Sequence, residues 1–548
     1  TVLREGTMAG TSSFAINNST YAEGMILVGL SNGRIQAFNA DTLESLWLYT
    51  DPLGGQPDCP ITVSDGYAYT GFWNSEIKNA SFVCISLTDE DPGEAKEAKA
   101  PTWRYVQKGG FYWAGAYVCR DYVLVGTDDG KSGYTSKTAN VLLLDPMSGK
   151  LLDSMTGFAG DIRSTICYDE ATNAFYFDSK GSYFYRVRVR KDTDGAWKLT
   201  DRAELPIGGM STSTPVIANG RAYIGVCGSG QFTEYSGHSI TVIDLSGAMS
   251  IAYRAETQGY PQTSGLLTTG YDNYNYIYFL DNYTPGTLRV LRDKEGQTKA
   301  DYTTIERVGE GKTEKTYTTA YALFTPAGEQ AQYCICSPIV DENGTLYFKN
   351  DSGYLMAYGS AVETLTVESA PTRTHYEAGD KFDTTGLKVT ATYANGVTRD
   401  VTKLMKMKDA DKALTEKDKS VTLIYGLGQT MYHNSELTDK TMKPGEKTTT
   451  KEIPFAITVG SSTSTGKIGE SLNWSFSAQS GKLTISGTFP TGAKLIAAVY
   501  TTDGRLVGTR ILTAEGETAL PDGAAIKLFL LDGTTNAPLC QSETVKNP

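Results

Sequence analysis

Residues 24–39 read GMILVGLSNGRIQAFN and residues 336–358 read CSPIVDENGTLYFKNDSGYLMAY. Each has an apolar strand, a glycine-punctuated turn and a second apolar strand. The same pattern recurs in DGYAYTGFW from Asp65, RDYVLVGTDDG from Arg120, TNAFYFDSKG from Thr172, NGRAYIGVCGSG from Asn219 and NYIYFLDNYTPG from Asn275, which makes seven hairpins. Partner strands follow, as in FVCISL, NVLLLD, YFYRVRV, SITVID and TLRVL, with the period of two that marks β-structure. No long stretch carries apolar residues at helical spacing, so a nearly all-β chain is expected.

A second register lies just ahead of each hairpin, in TSSFAI, PDCPIT, YWAGAY, IRSTIC, TSTPVI, QTSGLL and ICSPIV. Aligned, these segments put Ser13, Cys59, Ala114, Ser164, Thr214, Ser264 and Ser337 in one column of small residues. Residues 114, 164, 214 and 264 are spaced by 50, and longer intervals hold insertions such as EDPGEAKEAKAP and the stretch from Asp293 to Gln332. Four-stranded repeats of this length predict a β-propeller, with the first strand of each repeat innermost, where slim side chains are needed near the axis. Residues 1–8, TVLREGTM, are expected to close the ring as the outer strand of the last blade.

The repeat stops near residue 360. Strands KVTATY and VTRDVT flank an Ala-Asn-Gly turn, SVTLIYGL follows, and EIPFAITV closes a small sandwich near Val459. The Lys-rich runs Lys403–Asp418 and Glu436–Lys451 read as solvated loops. GSSTSTGKIGES reads as a flexible linker, and NWSFSAQSGKLTISGTF, KLIAAVYTTDGRLVGTRIL and AIKLFLLDG read as the strand pairs of a last sandwich. The predicted organisation is a seven-bladed propeller over 1–360, an immunoglobulin-like sandwich over 361–459 and a second β-sandwich over 465–548.

Composition narrows the function classes. The 548 residues suffice for several cores. A formal charge of -12 leaves no footprint for nucleic acid or an anionic membrane, and no apolar run is long enough for a spanning helix. The eight cysteines contain no CxxC and sit mostly within strand-like runs, which reads as buried free thiols rather than a disulfide framework.

Two stretches carry family resemblances. AFNADTLESLW, from Ala37 to Trp47, resembles the tryptophan-docking repeat of PQQ-type quinoprotein propellers, with Asn39 for Asp and Leu43 for Gly. LLDPMSGKLLD keeps Asp145, Ser148 and Gly149, and VIDLSGA keeps Asp244 and Gly247. The resemblance implies that Trp47, Trp103 and Trp197 dock between blades. It does not extend to the PQQ cofactor: that family's site uses adjacent cysteines, whereas Ile335 separates Cys334 from Cys336. TLTVESAPTRTHYEAGDKFDTTGLKVTATYANGVTRDVT, from Thr364 to Thr402, resembles the group 3 bacterial immunoglobulin-like domain. A propeller with tandem sandwiches is similar to large cell-surface proteins of gut Firmicutes, which implies an extracellular, surface-associated or secreted location and no membrane insertion.

Catalytic constellations are sparse. His238 falls in the predicted propeller and His375 and His433 in the sandwich over 361–459, so no module holds three, which argues against a histidine metal site, and His238 reads as a surface or capping residue. TDDG at 127–130 and KDTDG at 191–195 offer paired aspartates to calcium, although Asp-Gly is also turn chemistry. No cofactor is otherwise expected. Recognition of a glycan or a surface protein remains, with aromatic platforms flanked by polar groups. The candidate ligand-binding residues are Asp58, Trp73, Tyr112, Trp113, Asp161, Arg163, Tyr260 and Gln262, which in a closed ring converge at one mouth of the channel. The alternative is a polysaccharide lyase or hydrolase using Asp58, Asp161 and Arg163 there.

Overall fold

Glu23-Gly24, Asp65-Gly66 and Asn219-Gly220 all have positive φ, and each joins the first two strands of a sheet. Two left-handed residues in succession form the type I′ turn, whose twist matches that of a hairpin. In the computed structural model the described residues are 5–10, 19–228, 237–269, 272–308, 311–342, 344–394, 396–409, 412–425, 451–460, 482–485, 491–513, 516–521, 525–539 and 542–546. They form an all-β protein whose chain divides after Glu363 into two compact units.

The first unit is a succession of antiparallel sheets in chain order. Thr62–Ser64, Tyr67–Gly71, Asn79–Ser86 and Trp103–Lys108 make the second sheet, and the third, fourth and fifth repeat this four-stranded order. The sixth gains a fifth strand, Thr303–Val308, from the long insertion, and the seventh has three strands, Ile339–Val340, Leu346–Lys349 and Leu355–Tyr358.

Hydrophobic cores lie between consecutive sheets. Val123, Val125, Leu142 and Leu144 pack against Phe82 and Trp103 of the second sheet. Their neighbours Leu124, Val141 and Leu143 pack against Phe175, Phe177 and Val187 of the fourth. This is why a middle strand such as NVLLLD is apolar at successive positions: alternation sends its side chains to two cores, and both faces are buried. First strands are also tied in sequence. Thr20 Oγ1 donates to Ile61 O at 3.2 Å, Thr62 Oγ1 to Ala116 O at 3.1 Å, Ser213 Oγ to Thr263 O at 2.8 Å and Thr263 Oγ1 to Cys336 O at 3.2 Å. Sheets stacked side by side with first strands innermost are the arrangement of a β-propeller.

The docking tryptophans occupy these joints. Trp47 is fully buried between the first and second sheets. Trp103 packs against the third sheet and donates from Nε1 to Pro146 O at 2.8 Å. Trp197 is partly buried and points back, edge-on to Tyr122 of the third sheet. Leu43 adopts φ 59, close to the φ 66 of Gly149 at the equivalent turn, so the turn persists despite the replacement of glycine.

One expectation is corrected. Glu5–Met8 form no strand; instead Gln36 Oε1 accepts from Ala9 N at 2.7 Å and Gln36 Nε2 donates to Thr7 O at 3.4 Å, so side chains of the first sheet satisfy this backbone. Thr1–Arg4 and Ser13, the rest of the closure and column readings at this end, lie outside the described residues. The insertion EDPGEAKEAKAP, which in the sequence only lengthens one repeat interval, carries a strand. Its Glu97–Lys99 adds a parallel strand to the edge of Ser45–Thr50 in the first sheet. Buried Lys99 pairs there with Glu90 at 3.0 Å and Glu97 at 3.6 Å.

After the seventh sheet, Val362–Ser369 pairs with Lys388–Tyr393, and Lys406–Met407, Ser420–Tyr425 and Lys451–Ala456 form another sheet. Ala493–Tyr500 and Ala525–Asp532 centre a four-stranded sheet over a core of Leu483, Leu495, Val499, Ile526 and Leu528. Lys412 pairs with Asp418 at 2.8 Å in a loop whose Leu414 is buried. The linker GSSTSTGKIGES, apart from Gly460, and the loop from Glu436 to Thr450 lie outside the described residues.

Candidate functional site

The segments that lead into the inner strands surround a cavity of about 280 Å³. Asp58 and Pro60 reach it from the second sheet, Trp113 from the third, Arg163 and Thr165 from the fourth, Thr214 from the fifth, Gln262 and Ser264 from the sixth, and Ser337, Lys349 and Asp351 from the seventh. Thr214, Ser264 and Ser337 are members of the small-residue column, and Cys59, Ala114 and Ser164 of the same column are fully buried.

Beside the cavity lies an ion-pair cluster spanning three sheets. Arg163 donates from Nε to Asp128 Oδ1 at 3.0 Å and from Nη2 to Asp128 Oδ2 at 2.7 Å. The same Nη2 is 2.9 Å from Asp161 Oδ2, and Lys180 Nζ stands 3.8 Å from that oxygen. Trp73 Nε1 donates to Asp128 Oδ2 at 2.9 Å, and Asp129 N donates to Asp161 Oδ1 at 3.1 Å. Burial pushes both carboxyls up, and Arg163 pulls each back down. A guanidinium gripped from two sides in a dry site fixes geometry more than it stabilises.

An aromatic stack lies against this cluster. Trp73 and Tyr112 stack with centroids 4.6 Å apart, Tyr112 and Trp113 with centroids 4.5 Å apart, and Arg163 Cζ lies 4.6 Å from the Tyr112 centroid. Gly109 and Gly110 allow the approach: both have positive φ, and a Cβ on Gly110 would sit 2.9 Å from Phe72 O. Trp113 itself holds φ 60, a left-handed backbone that is costly for a bulky residue, and its indole N–H is buried with no acceptor.

Asp58 stands apart from the cluster. It is 4% exposed, neither carboxylate oxygen meets a donor, and burial pushes its carboxyl up to about 7. A desolvated carboxyl with no cation beside it holds its proton.

Of the residues singled out from sequence, Asp58, Trp113, Arg163 and Gln262 line the cavity. Tyr112, Asp161 and Trp73 stand behind it, and Trp73 comes from the connection after Tyr67–Gly71 rather than from a segment leading into an inner strand. Tyr260 is buried, and its hydroxyl accepts from Thr212 N at 2.7 Å. In the sequence Asp128 reads only as a turn or calcium aspartate of TDDG, and Lys180 carries no local signal of its place beside Asp161. In the paired-aspartate turns, Asp129 Oδ1 accepts from Lys131 N at 2.8 Å and Asp192 Oδ1 from Asp194 N at 2.9 Å, while Asp128 is held by Arg163 and Trp73. His238 caps a backbone N–H, accepting from Gly228 N at 3.0 Å, but it is fully buried rather than at the surface, because the strand it opens is covered on both faces. The seven described cysteines are free.

The molecule is thus an all-β protein of propeller type carrying an immunoglobulin-like part. Residues 369–423 match the Bacterial Ig-like domain (group 3). No curated protein matches the chain. Among solved structures it is similar to BamB from Moraxella catarrhalis, at 15% identity over 62% of this chain and 84% of that one, with a TM-score of 0.39. It is also similar to the computationally designed Ika8 protein, at 14% identity over 64% and 98% of the two chains with a TM-score of 0.38. A europium-containing methanol dehydrogenase follows at 10% identity, 49% and 73% coverage and a TM-score of 0.28.

Proposed function

We propose that this is an extracellular, surface-associated recognition protein whose seven-bladed propeller binds a glycan in the central cavity, with the immunoglobulin-like modules as spacer. The observation that carries the reading is Trp113: a bulky residue held at φ 60, its ring on the cavity wall and its indole N–H unmatched. Strain of this kind persists where surrounding structure enforces it, and it clusters at ligand sites. An aromatic face beside hydroxyls and a lone carboxyl suits the apolar face and polar rim of a sugar ring. Weighing against polysaccharide turnover, Asp161 is fully buried in its pairing with Arg163 and lies behind the cavity wall.

The test is a glycan and host-protein array probed with the full chain, followed by calorimetry on any hit. Binding should fall roughly tenfold or more in Trp113→Ala, a loss typical of removing a buried aromatic anchor. A hit that binds Trp113→Ala as tightly as the parent overturns the assignment of the cavity. Release of reducing or unsaturated ends from a soluble glycan would show an enzyme instead.

A further inference from the structure

Charge on the cavity wall narrows the class of ligand. Arg163 is matched by Asp128 and Asp161, and Lys349 and Asp351 bring one charge of each sign from a single turn. Asp58 is a charged wall group left unmatched: both of its oxygens are buried and meet no donor. A desolvated carboxylate that no protein cation answers must either keep its proton or be met by a cation from outside. Trp113 lines the same cavity, and an aromatic face next to a carboxylate is the complement of an ammonium group.

Resting on the glycan reading above, we propose that the cavity selects a sugar carrying a free primary amine, with the ammonium paired to Asp58 and the sugar ring against Trp113. Nothing covalent is involved; the amine binds as the cation. If the ligand were a neutral sugar held by a protonated Asp58, hydroxyl and ammonium at the same ring position would bind alike. An amine requirement separates the two.

The experiment is titration calorimetry of the full chain with three disaccharides: fully deacetylated chitobiose, its N,N′-diacetyl form and cellobiose. The expected result is binding of the amine roughly tenfold or more above the other two, as for a desolvated ion pair with a cation–π contact. The net charge of -12 draws any polycation, so the decisive arm is Asp58→Asn, which keeps shape and removes the carboxylate. The preference should vanish in that variant and survive in Asp351→Asn. Equal or tighter binding of the acetylated or neutral sugar, or a preference that persists in Asp58→Asn, overturns the amine inference and leaves the glycan reading standing. Absence of binding by all three, with no array hit, removes both. The comparison among sugars on the parent protein needs no variant to fold.

Discussion

Arg163 is the residue on which the most depends. Its guanidinium carries two buried carboxylates, so Arg163→Met strands Asp128 without a cation and leaves Asp161 only Lys180, 3.8 Å away. The expected loss is about 3–5 kcal/mol in urea unfolding of the first unit; a loss under about 1 kcal/mol would mean that the cluster is solvated. Asp58 gives a signed pH effect. Its folded pKa is about 7, above the ordinary carboxylate value, so between about pH 4 and pH 7 the folded state binds more protons than the unfolded chain. Its contribution to stability therefore falls as pH rises through that window. Asp58→Asn should match the parent near pH 4 and melt roughly 2–4 °C higher at pH 8; a difference independent of pH counts against the assignment. At this scale the sequence was legible where a residue sat close to the small-residue column, as Asp58, Trp113, Arg163 and Gln262 do. It was silent on the pairing of Asp128 with Arg163, because a partner 35 residues away in another sheet leaves no local trace.

Among elements, hairpins and middle strands were readable because turn chemistry and alternation are local. The parallel strand Glu97–Lys99 was not, since a charged run reads as solvent-exposed until Lys99 finds Glu90 and Glu97 over the ring of Trp47, 5.9 Å from its centroid. This strand covers the outer edge of Ser45–Thr50. Excising residues 89–100 and bridging the gap with glycine and serine should bare that edge and promote self-association, read by analytical ultracentrifugation; a strictly monomeric variant would show that the edge is protected by other means. Trp47→Ala empties a joint between two sheets and should cost roughly 3–5 kcal/mol. The segment Lys403–Asp418, read as a solvated loop, also contributes a short strand, Lys406–Met407, and a buried Leu414, while Lys408 and Lys412 are paired with Glu452 and Asp418.

The whole molecule combines two units with separate cores, one between stacked sheets and one inside sandwiches. Differential scanning calorimetry should resolve more than one transition, and a single two-state melt would contradict independent cores. Repeat length and the slim column made the stacked architecture legible, because geometry near an axis constrains composition. The path of Glu5–Met8 was not, since backbone held by a side chain such as Gln36 leaves no periodic signature. The joints have one further consequence. Because each sheet lends its two sides to different neighbours, no single repeat can hide its own oily surface. Gain or loss of a repeat by recombination must then preserve the match between newly adjacent walls, so viable relatives should differ by whole repeats cut at equivalent turns and never by a half-sheet.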